Sequence, residues 1–84
     1  MKYYFIITKG IRVLHLHRGK NMQEATDSFN DIFSGNHIAD IVMEAISCPH
    51  QGKFVLPDLP EWMNYEIAKD AKVCMKCSTP VEIN

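Results

Sequence analysis

Lys2-Tyr3-Tyr4-Phe5-Ile6-Ile7-Thr8, then Lys9-Gly10, then Ile11-Arg12-Val13-Leu14-His15-Leu16-His17 is the stretch whose reading decides the fold. Two runs of aromatic and β-branched residues around a Lys-Gly turn pair read as a β-hairpin over Met1 to Arg18. In the second run Ile11, Val13, His15 and His17 share one face, while Arg12, Leu14, Leu16 and Arg18 share the other. Apolar residues on both faces put such a strand in the middle of a sheet. A two-stranded hairpin alone is marginal in water, so the later chain has to cover it.

Downstream, Asn21 followed by Glu24 is a capping-box pattern, and Met22, Ala25, Phe29, Ile32 and Phe33 recur at helical spacing. Gly35 stands where a helix C-terminal glycine belongs, which predicts a helix from Met22 to about Ser34. His37 to Ser47 fits two templates. Its Ile38, Ile41, Val42, Ala45 and Ile46 match a helix, but the run is short, rich in Ile and Val, and follows a strand-strand-helix unit that lacks a third strand. A strand is the preferred reading, with Ala39, Ile41, Met43 and Ala45 on one face and Asp40, Val42 and Glu44 on the other. After the break at Cys48-Pro49-His50-Gln51-Gly52, a short strand is expected at Lys53 to Leu56, then a second helix from the Asp58/Glu61 capping pattern to about Lys72. The tail ends in a candidate edge strand. The expected architecture is one small α+β domain over residues 1–84.

Composition bounds the function. A chain of 84 residues has room for one thin core, and 46% hydrophobic with 23% charged residues is an ordinary globular balance. No apolar run approaches the roughly 18 residues of a membrane span, and Met1-Lys2-Tyr3 leads into a strand instead of a signal peptide, so a cytoplasmic protein with no membrane partner is expected. An odd count of three cysteines argues against a disulfide framework. Net charge is −1 but uneven: Lys2, Lys9, Arg12, Arg18 and Lys20 occupy a stretch without an acid, and Glu24, Asp27, Asp31, Asp40 and Glu44 one without Lys or Arg. That asymmetry predicts a basic ribbon and an acidic layer on separate surfaces.

The most specific motif pairs Cys48-Pro49-His50-Gln51-Gly52 with Val73-Cys74-Met75-Lys76-Cys77. A Cys-x-x-Cys turn presents two thiolates near free backbone amides, and a second turn can complete a tetrahedral zinc site. The candidate ligands are Cys48, His50, Cys74 and Cys77, for one zinc. Other readings stay open: buried or exposed thiols without a metal, or a redox Cys74/Cys77 pair. The redox reading wants a thiolate at a helix N-terminus, whereas the pair follows the expected helix. His15-x-His17 puts two imidazoles on one strand face as a lesser metal candidate. No phosphate loop, nucleophile elbow or His-Glu-x-x-His motif is present in the sequence, and no enzyme activity is expected.

Two surfaces are candidates for partners. The basic hairpin, through Lys2, Lys9, Arg12, Arg18 and Lys20 with Tyr3, Tyr4 and Phe5 interleaved, suits phosphates and bases. Leu56 to Tyr65 carries Trp62 and Tyr65, residue types enriched in interface hot spots, with a core role for Trp62 as the alternative.

The turn at Val73-Cys74-Met75-Lys76-Cys77-Ser78 resembles a zinc knuckle. Cys48-Pro49-His50-Gln51-Gly52 resembles the Cys-Pro-x-Cys-Gly knuckle of zinc ribbons, with Gln51 at the second cysteine's position and His50 one residue early. Over its first half, from Lys2 through the helix holding Glu24-Ala25-Thr26-Asp27-Ser28-Phe29, the layout resembles small strand-strand-helix proteins of phages and mobile elements, anti-CRISPR proteins among them. That resemblance implies a stoichiometric inhibitor or regulator of a host protein or nucleoprotein. Two functions are therefore carried forward: a non-enzymatic interaction protein for a protein or nucleoprotein target, and a zinc-stabilised nucleic-acid-binding module. A thin-cored domain of this kind can also form a homodimer through an edge strand.

Overall fold

A computed structural model describes residues 1–33, 38–57, 59 and 64–78. The hairpin is formed by β1 (Lys2–Thr8) and β2 (Val13–Gly19), paired antiparallel from Lys2 opposite Gly19 to Ile7 opposite Leu14. Its connection is longer than a two-residue turn. Thr8 closes the Lys9–Arg12 loop by donating its hydroxyl to the Ile11 carbonyl and accepting the Val13 N–H at 3.0 Å. The second strand therefore starts two residues later than the sequence reading placed it, with the side chains on the expected faces.

Helix α1 (Met22–Phe33) follows. Asn21 Oδ1 accepts the Glu24 N–H at 2.9 Å, and the Glu24 carboxylate accepts the Lys20 N–H at 3.2 Å, so two otherwise unpaired donors at the helix start are satisfied. Gly19 permits the tight turn from β2 into the helix, since a Cβ there would lie 2.7 Å from the Ala25 nitrogen. The helix buries Ala25 and Phe29, while Met22 and Ile32 stay exposed at 49% and 64%. The buried stripe is thus narrower than the apolar spacing suggested.

The ambiguous segment is a strand, β3 (Ala39–Glu44), antiparallel to β1 with a bulge between Ile7 and Thr8. The sheet order is β3-β1-β2-β5, with β5 at Glu66–Ile67, which puts both hairpin strands in the middle. Register then sorts the side chains. Tyr4 faces His17, and Ile6 faces His15 and Val42; these lie on the face that α1 covers. Phe5, Ile7 and Leu14 point to the opposite face, where Leu16, Ile41, Met43 and Ala45 join them around Phe54. Tyr4 through Thr8 are buried without a break because each face of β1 has its own covering layer.

The helix expected to reach Lys72 does not run through the described part of its segment: Glu66–Ile67 is β5, parallel to β2. Glu66 N–H donates to the Arg12 carbonyl at 2.9 Å and Ala68 N–H to the Leu14 carbonyl at 2.9 Å. Backbone groups on the open side of β2 thus find partners that a helix could not supply. The short helix near the C-terminus comes later, as α2 (Met75–Ser78). Strands β4 (Phe54–Val55) and β6 (Val73–Cys74) form a separate parallel pair, tied to the main sheet by Phe54, whose ring lies 4.7 Å from Tyr3 and 6.4 Å from Phe5 between centroids. Trp62 and the candidate tail strand lie outside the described residues.

Candidate metal centre

The first ligand turn is built locally. His50 and Lys53 bracket a turn in which the Lys53 N–H donates to the His50 carbonyl at 3.0 Å, with φ of 46° at Gln51 and 68° at Gly52. Two positive φ values in succession define a type I′ turn, which Gly52 enters freely and Gln51 only with strain. Ser47 bridges antiparallel to Phe54, and the Cys48 N–H donates to the Lys53 carbonyl at 3.0 Å, so Cys48 and His50 project from the end of a miniature hairpin. The second turn follows β6. Its parallel pairing with β4 brings Cys74 alongside Val55, and α2 then carries Cys77.

These two turns converge. Cys48, His50, Cys74 and Cys77 each bring one ligand atom within 4.8 Å of the others. The His50 Nδ1 lies 3.2 Å from the Cys77 sulfur and 3.5 Å from that of Cys74, and the His50 backbone N–H donates to the Cys48 sulfur at 3.4 Å. Zinc bond lengths of about 2.0 Å to nitrogen and 2.3 Å to sulfur give tetrahedral edges of roughly 3.5 to 3.8 Å, near the two imidazole–sulfur distances, and ligand atoms up to 4.8 Å apart would draw in around a metal. All three cysteines are free thiols. The four residues could hold one zinc.

Electrostatics within the cluster are uneven. The Cys77 backbone N–H, directed at the Cys74 sulfur, lowers the Cys74 thiol to about 6, with the Cys48 and Cys77 thiols assisting. Burial, then the neighbouring sulfurs, push Cys77 up to about 11. One sulfur accepts charge and thereby discourages the next. A divalent cation among them would allow all three to ionise. The sequence reading placed the cysteine pair behind a helix; instead Cys74 directly precedes a helical turn, which is why backbone amides reach its sulfur. A third sulfur and an imidazole at the same point suit a metal better than a two-cysteine redox pair.

No family model, curated protein or solved structure matches this chain. The phage-like layout and the ribbon-like turns therefore rest on their own residues, and of the two the turns have a spatial counterpart in the four-residue cluster.

The other candidates are dispersed. Arg12 pairs with Asp40 at 3.3 Å and Lys2 with Glu44 at 3.6 Å, because β3 lies beside β1 and brings acids against the basic hairpin. Of the acidic stretch, Asp40 and Glu44 thus meet the basic hairpin along that edge, while Glu24, Asp27 and Asp31 lie on α1. Lys9, Arg18 and Lys20 are exposed. Tyr65 is half-buried against the Phe54 cluster, and burial raises its phenol. His15 and His17 are buried beneath Phe29 and Phe33, and among the described residues they do not form part of a cluster of three ligand atoms. Gln51, Lys53 and Lys76 surround the cluster as well, although the cysteine motifs do not mark them. Nothing in their spacing signals this, since the β4–β6 pairing that assembles them joins residues far apart in sequence.

Among the described residues no helix is long and apolar enough to cross a membrane.

Proposed function

We propose that the chain is a zinc-stabilised interaction module with no reaction of its own, acting on a nucleic acid or nucleoprotein. The observation that supports this is the approach of four ligand atoms to within 4.8 Å from two turns that are remote in sequence. Four protein ligands fill a tetrahedral zinc, as in structural sites, and leave no position for a reacting water or substrate. The work of such a metal is mechanical. It would clamp the Cys48–Gly52 turn to the β6–α2 turn, and Phe54 between them closes the apolar face of the sheet. Three free thiols support a reducing compartment such as the cytoplasm as the setting of the module.

Cobalt substitution tests the ligand set. Titrating Co²⁺ into reduced, metal-free protein should give the visible bands of a tetrahedral thiolate site, saturating at one ion per chain and bleached by zinc. Absence of those bands, or no saturation at one ion, would overturn the reading.

A further inference from the structure

Beside the cluster lies a cavity of about 470 Å³, within the size range of small-molecule sites. Gln51 and Lys53 line it from the first turn and Lys76 from α2, with Pro49 and Val73 as apolar walls, and two of the ligands reach it as well. No carboxylate is among its lining residues. Lys53 and Lys76 are exposed and have no ion-pair partner among the described residues, unlike Lys2 and Arg12 on the hairpin. Zinc held by three thiolates and a neutral imidazole carries one formal negative charge, so the two ammonium groups leave the cavity positive on balance.

Such a cavity suits a multivalent anion. Lysine binds phosphate as a mobile point charge, the Gln51 amide adds donors, and the apolar walls offer a surface to a sugar or base. We propose that this cavity binds a phosphate group, carried by a single-stranded nucleic acid or by a free nucleotide. The proposal rests on the metal reading, since the metal would hold the two walls together. It moves phosphate recognition from the hairpin to the metal-bearing layer.

The zinc-loaded full chain is titrated against a labelled twelve-nucleotide oligothymidylate by fluorescence anisotropy, and against thymidine triphosphate by calorimetry. The Lys53→Glu/Lys76→Glu double variant should weaken binding about tenfold or more with zinc content unchanged. Strand binding through two phosphate contacts should show a slope of about −1.4 in log K against log salt. Tighter binding of the strand would identify nucleic acid as the source, and equal or tighter binding of the triphosphate a free nucleotide. No binding of either probe, or a double variant that binds like the parent, would overturn the phosphate site. Zinc content is read on the same samples, so a metal-free parent chain would count against the metal reading separately.

Discussion

His17 has its Nε2 buried with no hydrogen-bond partner among the described residues, and the Phe29 ring lies edge-on to it at 5.5 Å between centroids. Burial lowers its pKa from the ordinary 6.5, opposed in part by Asp70. The unfolded chain therefore takes up this proton first as pH falls. Stability is unaffected above about pH 6.5 and declines below it, until the folded imidazole also protonates. Replacing His17 with Phe should flatten that decline. Urea midpoints of parent and variant at pH 7.5 and 5.5 check this: the parent is expected to lose more, and equal losses would remove the buried imidazole from the explanation. Cys74 differs, because its sulfur is buried among groups that favour its charge. Its role as a candidate ligand was legible from Cys-x-x-Cys spacing alone. His50 was legible only as a compromise for the cysteine missing at Gln51, and the type I′ turn is what turns its Nδ1 toward Cys74 and Cys77.

Elements with local signals were readable in order. Asn21 and Glu24 fix the start of α1, and removing the cap in Asn21→Ala should cost about 1 kcal/mol, read as a lower urea midpoint with unchanged slope. An unchanged midpoint would mean that Asn21 contributes nothing as a cap. Strand β3 was readable from alternation once the hairpin required a third strand, and Ile41, Met43 and Ala45 do face the core. Strand β5 was not readable. Glu66–Ile67 is two residues long, has no period, and is defined by the open side of β2, a partner more than fifty residues earlier in the chain. Asp58 and Glu61, from which a helix was expected, lie outside the described residues, and the described part of that segment, from residue 64, holds β5 instead. Remote pairing likewise explains α2, a single turn whose place is set by the β4–β6 pairing.

At the scale of the whole molecule, the sheet is covered by α1 on one face and by the β4–β6 layer on the other. The first covering is a continuous amphipathic helix. The second has strands of only two residues each, too short to be stable alone, and a metal would supply the missing constraint. Removing it should loosen that layer and expose Phe5, Ile7 and Leu14. The charge asymmetry of the sequence serves the same assembly, since Lys2–Glu44 and Arg12–Asp40 join the hairpin to β3, although exposed pairs of this kind contribute only about 0 to 1 kcal/mol each. The most direct measurement is native mass spectrometry of the reduced chain beside its Cys74→Ser variant, with melting curves on both. The account predicts one zinc per chain in the parent, none in the variant, and a melting temperature lower by more than about 10 °C. A parent without metal, or a variant that melts with it, would contradict the account.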